Sequence, residues 1–478
     1  MQVRIVLFVL LLINQAVSFG QLTSVSFHAN DPRLETAFDW AKQTAFSYRG
    51  KPADPVGPWY ESALPPRSAF CMRDVAHQSI GGEILGMASE NRNMFTLFVK
   101  NISDSRDWCS FWEINKYGKP APEDYRNDRE FWYNLNANFD VMNACWRLYL
   151  WTGKKFYIED TLFFNFHTKS VQDYIDRWVL QVDSLLSRPL HPNAPVPFKT
   201  NDPFHLSRGL PSYSEGVPNL RLGIDLIAAI YQGFETYANI LEATGRKGQA
   251  SAYRDKAELC RRHIEEKWWN EKGQRYYTHI GEKGNFGNGE GETFLLWFDA
   301  LKDSSRRAKT INYLATEKAN VENRSYFPFL FSEFGRYDLA REHLLSLSDP
   351  NTKRREYPEV SFGVLEGIVQ GLMGIAADAR EQTVSSLFGG MTSDQFSIED
   401  LPILGTTISI SQETKKTILE NRGEKSVNWK PRFAGSYTFI QVNGKKLKTR
   451  KESTKGGMIV SVVSMKVKPG AKLVATVD

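Results

Sequence analysis

Cysteine is scarce in this chain of 478 residues, with four in all, and no two of them stand in a C-x-x-C spacing. That excludes a zinc ribbon or a redox dithiol, and a chain of this size needs no disulfide staples. Histidine is also thin, with eight residues and no cluster, so a zinc site is not expected. Long apolar runs are missing after the first residues, so no membrane span is expected. Charge of one sign is missing too: the formal net charge is +5, and Lys and Arg are scattered. A nucleic-acid binder would carry a basic stripe, so that class is set aside. The glycine-rich stretch Gly281–Gly291 lacks the Lys-Ser/Thr ending of a phosphate loop, which argues against nucleotide binding and leaves no cofactor expected.

What is present begins with a leader. Met1–Arg4 is short and basic, Ile5–Ile13 is apolar, and Ala16–Gly20 is a small-residue exit. This is the layout of a signal peptide over residues 1–20, and it predicts an exported protein, periplasmic or secreted. Aromatics make up 13% of the chain, including 12 Trp and 19 Tyr, enough for stacking platforms as well as a large core.

From Asp31 to Ala377 the chain reads as successive helices. Leu220, Ile224, Ile227, Ile230, Phe234, Tyr237 and Leu241 recur at helical spacing, predicting a helix over Asn219–Gly245. Val364, Leu365, Ile368, Val369 and Leu372 form another, with Gly363, Gly367 and Gly371 on one side for close backbone approach. After Asp378 the period changes to two, and Asn443–Gly444 marks a hairpin. The expected organisation is a helical domain over 21–381 and a β-sandwich-like domain over 382–478.

Tyr237–Ile280 (YANILEATGRKGQASAYRDKAELCRRHIEEKWWNEKGQRYYTHI) pairs two helices through an ATG stop. It resembles the helix hairpin of the six-hairpin glycosidases, the (α/α)6 toroids that include glucoamylases, trehalases and α-L-rhamnosidases. Residues 63–87 (ALPPRSAFCMRDVAHQSIGGEILGM) and 427–445 (VNWKPRFAGSYTFIQVNGK) are similar to the substrate-binding segment and the C-terminal β-domain of such enzymes. The resemblance implies a mainly α fold, an (α/α)6 toroid with a C-terminal all-β domain. It also implies an inverting, exo-acting glycoside hydrolase whose partner is a carbohydrate.

Such chemistry needs two carboxyl groups across the scissile bond, one of them with a raised pKa. By the resemblance, Glu215 in the turn-rich stretch before the Asn219 helix is the candidate general acid. Glu359, at the opening of the last helix, is the candidate base, with Glu356 a rival and Glu366 further along. Asp74 is a second candidate for the acid. Arg73, beside it, suits a grip on sugar hydroxyls, with His77 and Gln78 extending it. Trp59, Tyr60, Glu61, Arg67, Tyr213 and Glu356 are expected substrate contacts. Glu290 and Glu292 are expected to serve structure. Two other readings stay open: a polysaccharide lyase using Tyr213, His205 and Arg208, and a glycan-binding protein without catalysis.

Overall fold

The computed structural model describes residues 25–63, 67–188, 208–210, 212–213, 220–281 and 283–478, with residues 208 and 210 by backbone alone. The leader at 1–20, His205 and Glu215 lie outside the described residues.

Among the described residues, twelve helices build the larger domain. They are α1 (Pro32–Ser47), α2 (Met72–Ile84), α3 (Ala88–Lys100), α4 (Ala137–Thr152), α5 (Thr161–Val171), α6 (Ile224–Ala243), α7 (Lys247–Lys267), α8 (Thr293–Trp297), α9 (Ser304–Thr316), α10 (Val321–Glu333), α11 (Tyr337–Ser348) and α12 (Pro358–Glu366). Short helical turns at Phe156–Glu159 and Asp173–Arg177 belong to the connections. Residue pattern decides which helix goes inside. On α6 nearly every residue from Ile224 to Leu241 is buried, polar Asp225 and Thr236 included. On α7 only the stripe Ala250, Ala257, Cys260 and Ile264 is buried, the mark of a helix with one face on the core and one in water. The inner helices accordingly pack as a closed ring: α2 on α4, α4 on α6, α6 on α8, α8 on α10, α10 on α12, and α12 back on α2. Each carries an outer partner: α3, α5, α7, α9 and α11 in turn, with α1 on α12. This is the (α/α)6 toroid.

The seam where the ring closes is unusually tight, for a reason visible in the glycines. A Cβ on Gly81 of α2 would lie 2.8 Å from the Phe362 carbonyl oxygen, and one on Gly363 of α12 would lie 2.4 Å from the Ser325 carbonyl oxygen of α10. α12 therefore sits at backbone distance from both neighbours, then widens into a π turn over Gly367–Leu372. Gly363→Ala is expected to lose about 1–3 kcal/mol of stability, because both clashing groups are backbone and the helices must separate. A urea midpoint lowered at unchanged m would show it.

The β-domain is two packed sheets. The seven-stranded sheet runs Ser26–Ala29, Phe396–Ile403, Thr406–Glu413, Lys416–Asn421, Lys472–Thr476, Phe439–Val442, Lys445–Lys448. The second holds Ala376–Asp378, Thr383–Leu387, Val427–Ala434, Ile459–Val462 and Arg450–Ser453, with Met465–Val467 also on Val427–Ala434. Asn443 (φ 47°) and Gly444 (φ 81°) make the hairpin turn between Phe439–Val442 and Lys445–Lys448. Three details differ from expectation. Strand structure starts at Ala376, straddling the expected boundary after 381, and the N-terminal Ser26–Ala29 is an edge strand of the β-domain. The predicted Asn219–Gly245 helix is also shorter, because Leu220–Gly223 is a strand paired with His279–Gly281. The domains are joined at α4, where the Trp151 indole N–H donates to the Pro402 carbonyl (3.0 Å) and the Leu404 N–H to the Trp151 carbonyl (2.8 Å). All four cysteines are buried.

Candidate active site

The inner helices begin with acids. Asp74 is in the first turn of α2, Asp140 of α4, Asp225 of α6, Glu322 of α10 and Glu359 of α12, and Glu292 immediately precedes α8. Helix N-termini carry partial positive charge, so a carboxylate there is locally favoured. Here the placement does more, because several of these acids feel one another. Glu359 is raised well above the usual carboxylate range, first by burial and then by the charges of Asp74 and Glu322. Burial raises Asp74 as well, against the pull of Arg73. Asp140 is pushed up to about 8 by burial, with Arg73 opposing and Asp225 and Asp74 adding to the rise. Acids from α2, α4, α6, α10 and α12 thus converge at one mouth of the toroid.

Arg73 is the cation among them. It pairs with Glu322, donates to the Ser212 carbonyl (3.2 Å), and its Nε lies 3.5 Å from Asp74. Its guanidinium is set over the rings of Tyr213 (4.8 Å) and Trp112 (5.7 Å). Asp225 holds the wall beside it, accepting from the Tyr213 N–H and the Asn136 side chain at 3.1 Å each. On the other side, the Tyr48 hydroxyl donates to the Glu356 carbonyl, and the charges of Glu359, Glu356 and Glu61 help burial lift its phenol to about 12. Below lies a floor. His77 stacks on Tyr326 at 3.6 Å, meets Trp297 edge-on at 5.8 Å, and contacts Ser325 Oγ at 2.9 Å. Burial takes His77 down to about 3, so it is neutral.

The structure therefore brings together Asp74, Glu359, Arg73, Tyr213 and, below them, His77, with Glu61 and Glu356 at the edge. Others it sets elsewhere. Tyr60 is fully buried, stacked on Phe362 (4.9 Å) and donating to Asn91 (2.7 Å), so it offers no face to a sugar. Trp59 is 5% exposed and packs on Phe70, its indole N–H on Asp54 (2.8 Å). Gln78 is buried and accepts from Ser62. Arg67 bridges Glu113 (3.2 Å) and Asp124 (2.9 Å), bracing the loop that follows α3. Tyr60, Trp59 and Gln78 serve packing, and Arg67 serves the ion pairs that brace its loop. Glu292 pairs with Arg275, and Glu290 accepts from Asn320 and Asn323. Glu322 and Asp140 were missed; the signal was an acid opening helix after helix.

Buried acids set a stability trend with pH. Asp225 (about 6), Glu83 and Glu292 (about 7) and Asp140 (about 8) all bind protons more tightly when folded, chiefly through burial. Their contribution is complete below the unfolded carboxyl value near pH 4 and is lost as pH rises toward 8. Asp31 is held low by its arginine partners and Asp128 by hydrogen bonds from Ser105, Tyr125 and Arg106, and both act the other way, only under acid conditions. The expected result is a Tm several degrees higher at pH 5 than at pH 8, read by differential scanning calorimetry.

No protein-family model matches the chain, and no curated protein matches it in sequence. Solved structures do. The GH78 rhamnosidase of Bacillus sp. GL1 superposes with a TM-score of 0.55 at 13% identity, covering 82% of this chain and 40% of that one. An α-L-rhamnosidase from Dictyoglumus thermophilum gives 0.59 at 10% identity, over 95% of this chain and 51% of that one. The chain shares the toroid fold of these solved structures. A structure titled sialidase gives 0.56 at 11% identity, over 92% of this chain and 41% of that one. The chain spans about half the length of these toroid glycosidases or less.

Proposed function

We propose that this toroid is an exo-acting, inverting glycoside hydrolase in which Asp74 and Glu359 form the acid–base pair. The observation that carries the reading is two electrostatically linked carboxyls heading adjacent inner helices over an aromatic floor. Their environments differ in the way such a pair requires. Glu359 is buried and feels chiefly the like charges of Asp74 and Glu322, with Arg73 a smaller opposing influence, while Asp74 has Arg73 at 3.5 Å. Glu359 therefore keeps the shared proton and donates it to the leaving oxygen; Asp74 stays ionised and activates water. This division gives the donor role to Glu359, which the resemblance cast as the base. Inversion is carried by the resemblance to the toroid glycosidases, and it requires room for a water between the two carboxyls. Exo action is supported by the floor, since His77 and Tyr326 are buried and close the bore, so a chain end enters and a chain middle does not. Arg73 and Glu322 hold sugar hydroxyls. Export remains part of the proposal, supported by the leader pattern of residues 1–20.

The test is proton NMR of the first product released from a cleaved oligosaccharide or aryl glycoside. Release of the anomer opposite to the substrate's is expected. The substrate's own anomer would overturn the inverting assignment.

A further inference from the structure

At the far end of the inner ring the toroid and the β-domain enclose a second cavity, of about 370 Å³. It lies below the floor. Arg147, which lines it, is two turns beyond Asp140 on α4, about 10 Å along the helix axis. Three cations reach this cavity: Arg147, Arg432 and Lys455. Two are balanced. Arg147 pairs with Glu366 through Nη2, which also donates to Gln370 (3.0 Å), and Lys455 pairs with Glu333 (3.0 Å). Arg432 has no ion pair among the described residues, and its Nε is buried without a hydrogen-bond partner, as is Nη1 of Arg147. The cavity thus carries one uncompensated positive charge, on Arg432 of the β-domain. Trp151, Phe329 and Tyr337 supply ring surface beside it.

We propose that this cavity is a binding site for a sugar-sized carboxylate, a hexuronate or its like, separate from the catalytic mouth. Guanidinium groups take a carboxylate in charge-assisted hydrogen bonds, and the rings take the apolar face of the sugar. The volume lies in the range of small-molecule pockets. A neutral sugar leaves the charge on Arg432 uncompensated, so it is a poor ligand.

The test is calorimetric titration of the full-length protein with glucuronate at fixed ionic strength, with glucose and inorganic phosphate as parallel probes. Saturable binding of glucuronate is expected, with glucose at least roughly tenfold weaker, since it lacks the charge-assisted bonds. Phosphate is expected to bind more weakly than glucuronate, because it leaves the rings uncovered. Arg432→Gln should abolish glucuronate binding while leaving the Tm and any glycosidase activity of the protein unchanged. Arg432→Lys, which keeps the charge and loses the planar fork, should bind with reduced affinity. Equal affinity for glucose and glucuronate, phosphate binding as tight as glucuronate, or undiminished binding in Arg432→Gln would overturn the proposal.

Discussion

Glu359→Gln is expected to lower kcat by about 10²–10⁴-fold on substrates with poor leaving groups, with little change on a dinitrophenyl glycoside. The argument is physical. Glu359 is 5% exposed at the head of α12, and burial plus the charges of Asp74 and Glu322 hold its proton on. A leaving oxygen that departs as a strong base needs that proton in the transition state, and one that departs as a weak base does not. Glutamine keeps the shape and the hydrogen-bonding amide, so α12 should remain seated against Gly81 and Ser325. Unchanged thermal unfolding of the variant would separate lost chemistry from lost fold. A uniform loss across all leaving groups would move the donor role to Asp74 or to Glu215.

Asp74→Asn is the second large effect, again about 10²–10⁴-fold in kcat, but on every substrate alike. Here water activation is lost, and the leaving group no longer matters. Azide, which needs no base, should restore turnover and yield a glycosyl azide. The same variant should also raise KM, because Asp74 helps place Arg73, which also pairs with Glu322 and donates to the Ser212 carbonyl. Removing both carboxyls should cost little more than removing either, since they act as a unit.

Much of the fold was legible because local pattern and burial agree. The 3.6-residue recurrence in Ile224–Leu241 becomes an inner helix, and the glycines at 363, 367 and 371 meet Ser325, Pro328 and Ser332 of α10 at distances no side chain tolerates. What escaped was non-local. Ser26–Ala29 is too short to announce itself, and its partner Phe396–Glu399 is most of the chain away. Leu220–Gly223 continued a helical pattern and became a strand only because His279–Gly281 offers it a ladder. At the mouth, Asp74 and Glu359 stood out through their motif surroundings. Glu322 and Asp140 did not, because one acid at one helix start reads as ordinary dipole balance. Only ring closure shows that these starts share a mouth. Trp59 and Tyr60 were legible as aromatics, but residue type alone does not distinguish a sugar platform from a core ring.

The most direct measurement is product analysis on a panel of aryl glycosides and natural oligosaccharides, including acidic ones, for the wild type, Asp74→Asn, Glu359→Gln, the double variant and Glu215→Gln. The account predicts released reducing sugar with no unsaturated, ultraviolet-absorbing product in the wild type. It predicts loss in both single variants and no deeper loss in the double. An unsaturated sugar product, or near-normal hydrolysis by the Asp74 and Glu359 variants alongside an inactive Glu215→Gln, would contradict it.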